Sequence, residues 1–136
     1  AVAIPALNLT FSTCNNFSEP NSSIESEKVR ITVSRSRPPL EASRVAEKIN
    51  GVLIEMGSAG AKAMAVVRGI ADAYIHSGGQ YEWDNCAPAA VALAAGLHVS
   101  RLDGSTLRYN NSDPWLPDLL ICNPDLALPI LEILNS

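Results

Sequence analysis

A change of hydrophobic period between residues 28 and 49 constrains this chain more than any other feature of its sequence. "KVRITVSRS" sets apolar Val29, Ile31 and Val33 against Lys28, Arg30 and Thr32, the two-residue period of a strand with one buried face. The next stretch, "PPLEASRVAEKIN", puts Ala42, Val45, Ala46 and Ile49 at i, i+3, i+4 and i+7. That is one stripe of a helix that stops near Gly51. The alternation then repeats: an apolar strand "VLIEM" at 52–56 runs through two glycines into the alanine-rich "GSAGAKAMAVVRG", and "ADAYIH" at 71–76 forms another strand. Strands alternating with helices predict an α/β fold, a mixed sheet flanked by helices.

Downstream, Pro88 is expected in the first turn of a helix that opens after Asp84 and ends near Gly96. "LHVSRLDGSTLRYN" predicts a hairpin turning at Asp103-Gly104. "DLLIC" at 118–122 predicts a strand, followed by a C-terminal helix that Pro129 makes start late or kink. The polar run "NNFSEPNSSIESE" at 15–27 has the composition of a surface loop.

With 136 residues, 47% of them hydrophobic, the chain has material for one core. A formal charge of −4 offers no basic footprint for a nucleic acid polymer or an anionic membrane. No apolar run approaches the ~20 residues needed to span a bilayer, and the apolar start lacks the basic flank of a secretory signal. Cys14, Cys86 and Cys122 are odd in number, widely spaced and without a CxxC pair. They suit reduced thiols in a cytoplasmic protein, where the sequons at Asn8, Asn16, Asn21 and Asn110 are chance matches.

Three constellations carry candidate chemistry, each with a purely structural alternative. In "GSAGAK", small residues at a helix start leave backbone N–H groups open to an anion, with Lys62 one turn in; a glycine-rich helix entry is also a common structural device. In "SRSR", Ser34 and Ser36 with Arg35 and Arg37 end a strand and combine hydroxyls with guanidinium groups, as phosphate binders do; the alternative is a solvated strand end. Asp84, beside Trp83, is either a helix N-cap or a rigidly held oxygen ligand for a hard cation such as Mg²⁺. In the second case Trp83 packs beside it and fixes the backbone. His98 suits a strand residue with a satisfied hydrogen bond, and Trp115 a cap on the loop "NNSDPWLPD".

Taken in order, these stretches resemble a known family. "EWDNCAPAAVALAAGLHVSRLDGSTLRYN" is similar to the second signature of the inositol monophosphatase superfamily. "VSRSR", "GSAGAKAMAVVRGIADAYIHSGGQYEWD" and "NPDLA" resemble its 3'(2'),5'-bisphosphate nucleotidase, CysQ-type branch. The resemblance runs from about Lys28 to the end, and Ala1 to Thr13 also suits the strand that enters this domain. It implies the C-terminal half of the sugar-phosphatase fold and a Mg²⁺-dependent, lithium-sensitive phosphomonoesterase acting on adenosine 3',5'-bisphosphate in sulfate assimilation. Inositol phosphates and fructose 1,6-bisphosphate are the alternative substrates, and a non-catalytic phosphate- or protein-binding module is a further alternative.

The resemblance makes Asp84 the metal ligand and Ser34, Arg37, Ser58 and Lys62 nucleotide contacts; His76 stands where some relatives have an arginine. The family's paired-glutamate segment and its DPxDGT-like stretch have no match here. The expectation is therefore a C-terminal domain that lacks the N-terminal metal-binding domain, is inactive alone, and associates with that domain or with a second copy as a homodimer.

Overall fold

The computed structural model describes residues 1–17 and 28–136, so most of the polar run at 15–27 lies outside the described residues. Strand β1 (Val2–Ile4), a single 3-10 turn (Pro5–Leu7) and β2 (Leu9–Phe11) form a small antiparallel hairpin separate from the main sheet. This corrects the expectation of one entering strand: Pro5 starts the turn, and Asn8 leaves it with a left-handed φ of 53°.

The main sheet has five strands in the order β4 (Gly51–Met56), β3 (Val29–Ser34), β5 (Ala73–Tyr81), β7 (Trp115–Cys122), β6 (His98–Ser100). β3 pairs in parallel with β4 and β5, while β7 runs antiparallel to both β5 and β6. Helix α1 (Leu40–Lys48) connects β3 to β4, and α2 (Ala59–Val67) connects β4 to β5. Helix α3 (Glu82–Ala94) follows β5 directly, and α4 (Pro124–Leu134) ends the chain. The expected mixed sheet flanked by helices is the observed architecture.

The period-2 and period-3.6 patterns explain the two cores. Ile31, Val33, Ala73 and Ile75 face α1 and α4, where Ala42, Val45, Leu126 and Ile130 are buried against them. The residues between them, Thr32 and Tyr74, are ladder partners and face the other way, toward α2 and α3. Small side chains let those two helices approach. A Cβ added at Gly60 of α2 would stand 3.4 Å from Val2 Cγ1 and 3.9 Å from Pro88 Cγ of α3.

Four sequence expectations need correction. Glu82, not a residue after Asp84, opens α3, so Pro88 lies inside the helix and cannot donate to the Asp84 carbonyl one turn back. The "LHVSRLDGSTLRYN" stretch is not a hairpin: it turns at 101–105 but returns as irregular chain, and the partner of β6 is β7. α4 does not start late; Pro124 occupies its first turn, where a missing N–H costs nothing, and Pro129 is carried within the helix. β5 continues beyond His76 to Tyr81 through a bulge.

In that bulge Gly78 and Gly79, with φ of 95° and 87°, stand opposite the single residue Pro117, which has no N–H for the ladder. A Cβ at Gly79 would lie 2.5 Å from Trp115 Nε1. Gly79→Ala is therefore expected to lower unfolding free energy by about 2 kcal/mol through left-handed strain and displacement of the indole, measurable by urea denaturation with an unchanged slope.

Candidate functional site

The carboxyl ends of β3, β4 and β5, where α/β sheets generally hold ligands, carry the candidate residues. Ser34 closes β3 opposite Met56, the last residue of β4. The β3–β5 ladder ends at the Thr32–Tyr74 pair, two residues before Ser34 on one strand and two before His76 on the other. The rest of "SRSR" is exposed, and Ser34 Oγ lies 3.4 Å from Ser36 Oγ.

Ser58 is the N-cap of α2: its Oγ accepts from the Ala61 N–H at 3.3 Å, and its φ of 62° is a left-handed value taken without glycine's freedom. One of the N–H groups expected to be open is thus already capped. Lys62 is 5% exposed, and its ammonium donates to the Ser58 carbonyl at 3.0 Å and the Met56 carbonyl at 3.5 Å while lying 5.3 Å from the centre of the Tyr74 ring. Burial lowers its pKa. Two carbonyls and a ring face compensate a cation held at the end of β4.

His76 folds back over the bulge. Its Nε2 lies 3.2 Å from the Gly79 carbonyl, while Nδ1 is buried with no hydrogen-bond partner among the described residues. Nε2–H donating to that carbonyl leaves a lone pair on Nδ1. Burial pushes the His76 pKa down, helped by Lys62 and Arg37 and opposed by the Gly79 carbonyl and Asp84, so the ring is neutral at neutral pH. A histidine with a depressed folded pKa stabilises above the unfolded value of about 6.5, and that contribution is lost as pH falls through the folded pKa. Thermal stability is expected to decline from about pH 7.5 to about pH 5, and His76→Gln should flatten part of the decline. Burial also lowers the pKa of His98, which lies 2.9 Å from Ser100 Oγ, and this accounts for a remaining slope.

Asp84 is the third residue of α3, and its Oδ2 accepts from the Tyr81 N–H at 2.8 Å. It therefore caps the helix, but by reaching back from inside the first turn rather than as the N-cap, which is Tyr81. Its other oxygen has no hydrogen bond among the described residues. Trp83 does not pack into the fold: it is 67% exposed and stacks on Tyr81 with ring centres 4.6 Å apart. Trp115, also exposed, pairs with Tyr81 across the ladder.

A divalent cation fits this site only in part. Mg²⁺ takes oxygen ligands in octahedral geometry, and Asp84 can provide one. No three His, Cys, Asp or Glu side chains among the described residues group to hold a metal.

Several residues that shape the site were not singled out from sequence. Behind Asp84, fully buried Asn85 donates to Gln80 Oε1 at 3.1 Å and accepts from the Tyr109 hydroxyl at 2.9 Å, and Gln80 donates to the Tyr74 hydroxyl at 2.8 Å. Glu82 accepts from the N–H groups of Asn110 and Asn111 and from Asn111 Nδ2, at 2.8 to 3.0 Å. An asparagine on the apolar side of an alanine-rich helix was the available signal. Cys14 and Cys86 are exposed free thiols, and burial pushes the Cys122 thiol up to about 12. No described helix is long and apolar enough to cross a membrane.

A model of the inositol monophosphatase family matches residues 8–128. The 3'-phosphoadenosine 5'-phosphate phosphatase of Mycobacterium leprae is 59% identical over 108 residues, covering 79% of this chain and 40% of that protein. The chain thus spans about two fifths of the length of such relatives. Among solved structures, a lithium-soaked inhibitory complex of Staphylococcal inositol monophosphatase-1 has a TM-score of 0.70 at 23% identity, over 88% of this chain and 43% of that one. An IMPase/NADP phosphatase complexed with Mg²⁺ and phosphate has a TM-score of 0.67 at 23% identity, over 87% and 43% respectively. These two likenesses concern the fold, and the sequence matches carry the assignment: the chain belongs to the inositol monophosphatase family.

Proposed function

We propose that this chain is the C-terminal part of a Mg²⁺-dependent phosphomonoesterase that hydrolyses adenosine 3',5'-bisphosphate to AMP and phosphate, with the N-terminal domain of the same protein as its partner. One observation carries the reading: Arg37 follows the end of β3, Lys62 lies in the first turn of α2 after β4, and Asp84 lies in the first turn of α3 after β5, so two cations and one carboxylate stand at the carboxyl ends of three neighbouring strands. A substrate with two phosphates and a hard cation needs that combination.

Among the described residues, Asp84 is the ligand this chain offers to the metal, through the oxygen not bonded to Tyr81. When bound, Mg²⁺ supplies charge neutralisation at the phosphoryl oxygens and a water more easily deprotonated. The chain's own residues bind and orient. Arg37, exposed and free to adjust, meets a phosphate; Lys62 supplies a fixed charge beside it; Ser34 and Ser58 offer hydroxyls at the strand end and helix start. Neutral His76 contributes an acceptor where an arginine would add charge. The remaining oxygen ligands come from the part of the protein beyond this chain, which alone is inactive. The identity to a relative named as a 3'-phosphoadenosine 5'-phosphate phosphatase supports the nucleotide substrate, and the free thiols suit the cytoplasm.

The test compares kcat/KM of the protein, extended to the length of its relatives, on adenosine 3',5'-bisphosphate, inositol 1-phosphate and fructose 1,6-bisphosphate. The expected result is at least a tenfold preference for the nucleotide, about 1.4 kcal/mol. A preference for either sugar phosphate overturns the substrate assignment.

A further inference from the structure

The segment after β6 is clasped twice to the first turn of α3. Glu82 holds Asn110 and Asn111 through three hydrogen bonds, and Tyr109 inserts its hydroxyl against Asn85 Oδ1 at 2.9 Å. Asn85 is completely buried, and its amide is fixed at the other end by Gln80. Asp84 precedes Asn85 by one residue, about 100° around the helix. Locking Asn85 from two sides therefore sets the rotation of this turn about the helix axis, and with it the direction in which the free oxygen of Asp84 faces. Pro88 strengthens the need for such a lock, because it supplies no N–H to the Asp84 carbonyl. The same chain of bonds continues through Gln80 to Tyr74, whose ring lies beneath the Lys62 ammonium.

We infer that Tyr109 is a positioning residue for Asp84: its hydrogen bond to Asn85 holds the first turn of α3 in the rotation that presents the carboxylate to a divalent cation. The inference rests on the function proposed above. Ligand sites lose affinity when the groups that orient a ligand are removed, commonly by tenfold or more. Tyr109→Phe keeps the ring and removes only the oxygen.

The test is equilibrium Mn²⁺ binding by electron paramagnetic resonance on the protein extended to the length of its relatives, unmutated, as Tyr109→Phe, and as Glu82→Gln. The Tyr109→Phe protein is expected to bind Mn²⁺ about tenfold more weakly, whereas Glu82→Gln, which loosens the clasp on Asn110 and Asn111 but leaves the Tyr109–Asn85 bond in place, binds within about twofold of the unmutated protein. Melting temperature measured alongside separates positioning from support, since a structural role alone lowers it and leaves the Mn²⁺ affinity of the folded protein unchanged. Equal Mn²⁺ affinity in Tyr109→Phe and the unmutated protein overturns this inference and leaves the proposed function standing. Absence of Mn²⁺ binding by the unmutated protein overturns both.

Discussion

Asp84→Asn is expected to lower Mg²⁺-dependent phosphate release by the extended protein about a hundred- to thousandfold, while its melting temperature moves by only a few degrees. The asymmetry follows from the two oxygens of one side chain. The bond to the Tyr81 N–H needs an acceptor, and an asparagine carbonyl serves; the loss of helix-end charge complementarity is about 0.3–1 kcal/mol. A metal ligand needs charge, which the amide lacks. Losing one anionic ligand removes about 3–4 kcal/mol of transition-state stabilisation. Steady-state kinetics across Mg²⁺ concentrations, with thermal melting of the same samples, checks both halves. A fall in melting temperature with unchanged turnover would return Asp84 to a capping role alone.

The second large effect is on stability, at the opposite end of the sheet. Asp72, 3% exposed, accepts the Arg30 N–H at 2.8 Å and both arms of its guanidinium, at 3.0 Å from Nε and 2.9 Å from Nη2. Its own backbone joins Arg30 to Asn123: its N–H donates to the Arg30 carbonyl and its carbonyl accepts from the Asn123 N–H. Asp72→Ala leaves a part-buried guanidinium and a backbone N–H without their acceptor, where β3, β5 and the end of β7 meet. Breaking a buried pair by removing one partner costs about 3–5 kcal/mol, and the partial exposure of Arg30 puts this case at about 3. Urea denaturation checks it, and the double variant Arg30→Met/Asp72→Ala should recover part of the loss because no charge is then stranded.

Periodicity made β3 and α1 legible because each gathers its apolar residues on one face: Val29, Ile31 and Val33 face the core as the alternation indicates, and Ala42, Val45 and Ala46 form the buried stripe. The expected open face of β3 is covered too, since Thr32 is fully buried beneath α2 and α3. The hairpin expected at Asp103-Gly104 shows where local chemistry is not enough. The turn is present, with Gly104 at φ 84° and the Ser105 N–H bonded to Asp103 Oδ1 at 2.8 Å. The chain after it has other partners, since Tyr109, Asn110 and Asn111 are drawn to α3. β6 pairs with β7, where Asp118 also binds Arg101 through two bonds. Such long-range pairing leaves no periodic trace in a short segment.

For the site, residue types and order singled out Lys62 and Asp84, and the family resemblance added His76. The sequence could not show that the Ser58 oxygen accepts a bond from its own helix, that Lys62 is buried under carbonyls, or that Trp83 lies outside the fold. Those facts depend on helix boundaries one or two residues from where propensity places them. Starting α3 at Glu82 instead of after Asp84 turned an N-cap into an inward-reaching carboxylate with one oxygen to spare.

On the proposed function this chain holds one half of a phosphatase site, to which Asp84 contributes the metal ligand found among the described residues. Phosphate release from adenosine 3',5'-bisphosphate in Mg²⁺ tests it most directly, measured for this chain alone and for the protein extended to the length of its relatives. The extended protein is expected to release phosphate and the chain alone to release none. Turnover by the chain alone, or a folded extended protein that releases nothing, would contradict it.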